Sequence, residues 1–159
     1  MANRILTSIA TLGILGHSRF IPGTVGSLLG TIFSYFLFKI YGCFSVLVIG
    51  VGLVLFAVYA CSAAERTIGC RDPSSVILDE FAAMPLCFLF LQSREWPVFL
   101  LGFLIFRVFD ILKPLGIKFF EKFRGGWGIV LDDVVAACYT NVVLRMLLYL
   151  VKCRVKADF

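Results

Sequence analysis

Apolar residues fill this chain in long unbroken blocks rather than at alternating positions. One block opens at Pro22-Gly23-Thr24 and runs to Phe38, and a second runs from Ile40 to Ala64 without a charge. A third covers residues 75–92, a fourth 97–112 and a fifth 129–151. The first two read as a helical hairpin turned near Tyr41-Gly42. The hydrocarbon core of a bilayer asks for about 20 residues of helix, which these blocks reach or approach. Backbone amides cannot be left bare in lipid, so only helices or a closed barrel would serve. A barrel needs strict in-out alternation, which is missing. The blocks predict an all-α membrane protein of four to five apolar helices. Residues 113–124 differ: Ile117, Phe119, Phe120 and Phe123 are interleaved with Lys118, Glu121 and Lys122. That stretch predicts a basic amphipathic helix at the membrane surface.

Composition supports the membrane reading. The chain is 60% hydrophobic and 16% charged, with 17 phenylalanines. Soluble domains carry about 25% charged residues. Its 159 residues make one domain, 1–159, with no internal repeat. The net charge of +5 resides at the ends of apolar blocks, where long basic side chains snorkel and anionic lipid attracts them. No basic stripe is interleaved with stacking aromatics, which argues against nucleic acid. The six cysteines form no C-x-x-C pair and read as small buried hydrophobes. The lone His17 reads as a polar tip rather than a base. Basic loops at 65–71 and 113–124 predict a cytoplasmic location for both. If all five blocks cross, Lys152, Arg154 and Lys156 then end outside, against the charge rule. A re-entering N-terminus or a half-inserted fifth block would remove the conflict.

The acids carry the chemistry. Of ten, five interrupt apolar blocks: Asp79, Glu80, Asp110, Asp132 and Asp133. An ionised carboxylate at membrane depth costs several kcal/mol unless it is paired or bound to a metal. Arg107 and Lys113, the cations nearby, cannot neutralise five anions. A hard divalent cation would, and Mg2+ favours a few carboxylates plus water and phosphate oxygens. A purely structural ion-pair network is the competing reading. Asp79 and Glu80 are expected near a helix start, with Ser74 or Ser75 as N-cap. Arg107, Asp110 and Lys113 share one helix face, and a guanidinium there could clamp phosphate. Pro22-Gly23-Thr24-Val25-Gly26-Ser27 reads as a turn opening a helix. Thr24 and Ser27 are its possible caps and phosphate contacts; Gly26 and Gly30 could equally be helix packing.

Four blocks together resemble the phosphatidylglycerophosphatase A family, in that family's order. They are Pro22–Ser27; Asp72-Pro73-Ser74-Ser75-Val76-Ile77-Leu78-Asp79-Glu80-Phe81; Phe106-Arg107-Val108-Phe109-Asp110-Ile111-Leu112-Lys113-Pro114; and Gly125-Gly126-Trp127-Gly128-Ile129-Val130-Leu131-Asp132-Asp133. The resemblance implies an all-α fold and Mg2+-dependent removal of the terminal phosphate of phosphatidylglycerophosphate, leaving phosphatidylglycerol. It implies a bacterial inner-membrane protein whose site faces the cytoplasm. By motif, Asp79, Glu80, Asp110, Asp132 and Asp133 would bind metal. Asp79, Glu80, Asp110 and Asp133 would be catalytic, and Arg107, Lys113, Thr24 and Ser27 would meet phosphate. In-line attack by water is the expected route, with Asp79 as an alternative nucleophile. Two positions depart from the family's pattern. Ala82-Ala83-Met84 follows Asp79-Glu80 where Gly-Met is frequent, and Leu115-Gly116 follows Pro114 where Trp-Pro is frequent. A small ion- or proton-coupled transporter would also bury acids, but no inverted repeat supports it. The oligomeric state is not legible from the sequence.

Overall fold

A computed structural model describes residues 2–17, 21–114 and 116–157; the side chains of Ala2, His17 and residues 155–157 also fall outside the description. Among the described residues all regular structure is helical. Six α-helices follow in order: α1 Ala2–Ala10, α2 Pro22–Ile40, α3 Cys43–Ile68, α4 Leu78–Cys87, α5 Trp96–Leu112 and α6 Gly126–Ala157. Short 3-10 turns cover Leu15–His17 and Ile117–Lys122. Helices α2, α3 and α6 are long and apolar enough to cross a membrane. At 17 residues, α5 is about 25 Å long and falls just short of a ~30 Å hydrocarbon core.

The hydrophobic patterning explains the arrangement. Helix α3 holds no charged residue before Glu65 and exposes Phe44, Val48, Val51, Leu55 and Tyr59, a face suited to lipid. Its buried positions are small: Gly50, Ala57, Ala60, Cys61 and Ala64. Small residues let backbones approach, which is how helices associate where lipid is as apolar as the side chains. Gly26 and Gly30 do this on α2. A Cβ on Gly30 would stand 2.7 Å from the Phe81 carbonyl oxygen and 2.8 Å from Met84 Cγ. The Gly-x-x-x-Gly pair is therefore a packing surface against α4.

Helix α4 is the hub, in contact with all five other α-helices. It has ten residues, about 15 Å, or half a bilayer core. The block at 75–92 predicts a longer element. The helix starts later, with Ile77 rather than Ser74 or Ser75 at its N-cap and no side-chain cap bond. It stops at Cys87 after the internal Pro85, which removes a backbone donor. Asn141 Nδ2 on α6 donates to the carbonyls of Cys87 and Leu89, both at 2.9 Å. Arg145 Nη2 reaches the Leu89 oxygen at 3.0 Å, and its Nε donates to Asn141 Oδ1 at 2.8 Å. These side chains satisfy the carbonyls of a helix that ends inside the protein.

Two other expectations are corrected. Residues 113–124 do not form one continuous helix. Lys113 and Gly116 both take left-handed backbone, with φ 44° and 84°, and Pro114 lies between them. The chain therefore leaves α5 sharply and makes only the 3-10 turn, with Ile117 buried and Phe119 exposed. The fifth block is longer than 129–151: α6 has 32 residues, about 48 Å. At the N-terminus, the unforeseen α1 lies along α3, with Leu6 and Ala10 packed in the same cluster as Leu53, Val54 and Ala57.

Candidate active site

The chain order of the helices brings their polar ends to one place. The starts of α2, α4 and α6 and the end of α5 meet around a cleft of about 280 Å³. Its wall carries Asp79 and Glu80 from the first turn of α4, Asp110 and Lys113 from the end of α5, and Arg107 one turn earlier. Asp132 and Asp133 come from the second turn of α6. All five acids picked out by their apolar surroundings, and both cations, thus line one cavity.

Asp72 joins them as a sixth carboxylate. It lies in the loop between α3 and α4, outside any apolar block, so the criterion that found the others passes over it. Its place at the head of the Asp72–Phe81 block was the available signal. Asp72 and Lys113 both have left-handed backbone, φ 47° and 44°. Such strain in non-glycine residues gathers where side chains must be aimed.

Thr24 and Ser27 are not in the wall; Pro22 and Gly23 take their place. Ser27 is buried and its hydroxyl donates to the Gly23 carbonyl of its own helix at 2.9 Å. Proline at the start of α2 replaces a side-chain cap. Gly23 is required for closeness: a Cβ there would collide with Glu80 Oε1 and stand 3.4 Å from Arg107 Nη1. The backbone start of α2, with its partial positive charge, is thereby set directly against Glu80.

The charges do not balance. Arg107 Nη1 is 2.6 Å from Asp110 Oδ2 and 3.6 Å from Glu80 Oε1. Lys113 Nζ is 2.6 Å from Asp132 Oδ2 and 2.7 Å from Glu121 Oε1. Burial alone would lower the Lys113 pKa; its bonds to Asp132 and Glu121 outweigh that and hold the ammonium firmly charged. Burial pushes the Asp72 carboxyl up, and Lys113 only partly offsets it. Among the described residues Asp133, 3% exposed, has no ion pair. Asp79 Oδ1, Glu80 Oε2, Asp132 Oδ1 and Arg107 Nε are buried without any hydrogen-bond partner.

Buried unpaired carboxylate oxygens are costly, about 1–3 kcal/mol each and more when charged. Their donor chemistry fits a hard cation: all oxygen, all anionic, with a charged guanidinium and ammonium close by for phosphate. Among the described residues, no three acids close around one point as a ready metal cage. Mg2+ does not need one, because it keeps several waters and takes one or two carboxylates plus phosphate oxygens.

A family model described as phosphatidylglycerophosphatase A matches residues 8–148. A phosphatidylglycerophosphatase A of Haemophilus influenzae is 37% identical over 129 residues, covering 80% of this chain and 79% of that protein. One from Escherichia coli is 34% identical over 130 residues, covering 81% and 75%. A putative phosphatidylinositol-3-phosphatase of Bacteroides thetaiotaomicron is 35% identical over 137 residues, covering 82% and 86%. No solved structure matches the chain.

Proposed function

From the premise that this chain belongs to the phosphatidylglycerophosphatase A family, we propose that its acid-lined cleft hydrolyses the terminal phosphomonoester of phosphatidylglycerophosphate with Mg2+ as cofactor. The protein is a phosphatase with apolar helices suited to a lipid environment. The observation that carries the reading is the set of unpaired buried oxygens on Asp79, Glu80 and Asp132 beside Arg107 and Lys113. An ion-pair network built only for stability would have no reason to leave them unmatched.

In this reading Asp79, Glu80 and Asp132 hold the ion, with Asp110 and Asp133 completing the acidic wall. When bound, Mg2+ neutralises charge on the phosphoryl oxygens and polarises the P–O bond. Arg107 offers its unpartnered Nε–H to a phosphate oxygen, while Asp110 steadies the other side of the guanidinium. Lys113 supplies a second fixed positive charge. Water delivers the oxygen that ends on phosphate and would give its proton to a cleft carboxylate, a role this reading assigns to Asp133. The glycerol oxygen leaves and takes a proton. Phosphoryl transfer is mainly positioning and electrostatics, so no dedicated nucleophile is needed. The bilayer supplies the substrate. A multi-pass arrangement in a bacterial inner membrane with the cleft on the cytoplasmic side fits the Arg66, Arg71, Lys118 and Lys122 cluster at that end.

The test is phosphate release from synthetic phosphatidylglycerophosphate in detergent by purified protein. Release is expected with Mg2+, lost with a chelator and restored by excess Mg2+. Equal release in the chelator would remove the metal from the mechanism, and no release under any condition would remove the substrate assignment.

A further inference from the structure

A second cavity, about 610 Å³, adjoins the cleft. Asp72 and Ile129 belong to both walls. The two are also tied by Lys113, which lines the cleft and bonds Glu121 of the larger basin at 2.7 Å. The rest of the basin is built by Glu65, Arg71, Lys118, Lys122, Phe123 and the start of α6. Its floor is fixed: Arg71 Nη2 donates to the carbonyls of Glu121 and Phe123, at 2.6 and 3.4 Å, pinning the 3-10 turn to the end of α3. Gly126 N–H donates to Ser62 Oγ at 2.7 Å, pinning α6 to the same helix.

The charges in this basin are not spent like those in the cleft. Glu121 is answered by Lys113 and one face of Arg71 by carbonyls, while Glu65 and Asp72 in the same wall have no ion pair among the described residues. Among the described residues neither Lys118 nor Lys122 has an ion pair. Lys122 Nζ stands 5.5 Å over the Phe119 ring, a cation–π contact that takes up no hydrogen-bond acceptor. Phe119 and Phe123 beside them are 59% and 46% exposed, and Trp127 is 46% exposed. Aromatic rings flanked by lysines mark the headgroup level of a membrane.

We propose that this basin is the subsite for a second, bridging phosphate of the lipid headgroup, held by Lys118 and Lys122. The inference rests on the phosphatase reading above. A headgroup with a terminal monoester and an internal diester places two anions a short polyol apart. With the monoester against Arg107 and Lys113, the diester needs cations nearby, and the adjoining basin supplies Lys118 and Lys122. The basin has the size of a ligand pocket, two ammonium groups without an ion pair among the described residues, and Phe123 in its wall. Lipids whose one phosphate is a terminal monoester would use the cleft alone. The basin would thus set the preference for a two-phosphate headgroup through KM rather than kcat.

The test uses short-chain phosphatidylglycerol, which carries only the diester, titrated into the full chain in neutral detergent micelles. Lys118→Ala and Lys122→Ala should each weaken binding about fivefold, the effect of losing a charge-assisted hydrogen bond. Arg124→Ala removes an equal charge from an exposed residue at the same end but outside the basin wall, and should leave binding within about twofold. If Arg124→Ala weakens binding as much as the lysine variants, the effect is general attraction to an anionic lipid and the subsite is refuted. No weakening in either lysine variant refutes it too. Phosphate release is read separately on the wild type. Binding that depends on the lysines, without hydrolysis, would discard the reaction and keep the subsite.

Discussion

The two ends of α4 are finished in opposite ways. At the C-terminal end, deep in the protein, Asn141 and Arg145 reach from α6 to the carbonyls of Cys87 and Leu89. At the N-terminal end, Asp79 and Glu80 each keep a buried oxygen with no partner, as does Asp132 across the cleft. Both ends face the same problem, polar groups removed from water, and only one is solved by the protein's own atoms. Where the polar groups are matched, they hold the fold. Where they are left unmatched they cost stability, and that cost is what the proposed ion would offset.

That contrast can be broken by exchanging its terms. The largest effect is expected from Asp79→Asn, which should cut phosphate release by about 10³-fold, the scale of removing a central electrostatic group. The same variant should unfold no more easily than wild type in the metal-free protein, because it deletes an unpaired buried charge; thermal unfolding in detergent with a chelator checks this. Marked destabilisation would show Asp79 to be structural. Next is Gly23→Ala, whose methyl group would displace the Glu80 carboxylate. A displacement of about 1 Å can cost ~10² in rate, so turnover should fall between tenfold and a hundredfold; steady-state kinetics on folded protein reads it. Asn141→Leu should act in reverse. It strips a donor from two buried carbonyls, so stability should fall by about 1–3 kcal/mol, measured by denaturant unfolding in micelles. Its turnover per folded molecule should stay within about threefold of wild type, since nothing in the cleft is touched. The smallest effect belongs to Phe36→Leu. Phe36 is 58% exposed on the outer face of α2, and the change should alter stability by no more than ~0.5 kcal/mol and leave turnover unchanged.

Particular residues show how far the sequence reached. Asp79, Glu80, Asp110, Asp132 and Asp133 stood out because carboxylates inside apolar blocks need a reason to be there, and the structure gathers them in one cleft. Asp72 did not stand out, because a loop acid beside Pro73 looks merely solvated until the fold sets it in the cleft wall. Ser27 looked like a cap by its distance from Pro22, yet its hydroxyl turns back to Gly23 on its own helix. The 113–124 stretch had the period of an amphipathic helix, but left-handed Lys113 and Gly116 on either side of Pro114 break the helix before that period can act. Helix α4 was legible as apolar but not as short: Pro85 weakens it, and the donors that let it stop inside the bundle, Asn141 and Arg145, lie more than fifty residues away.

The sequence alone settled the class of elements and the unusual residues within them. Blocks of that length and apolarity can only be helices in lipid, and acids within them demand compensation; both follow from local transfer free energies. The tertiary structure decided which acids share a cavity, which of their oxygens are paired, and that Gly23 rather than Thr24 meets Glu80. Pairing and close approach are properties of distances between segments, and those distances come from how small residues on α2, α3 and α4 let the helices pack. No local pattern contains that information.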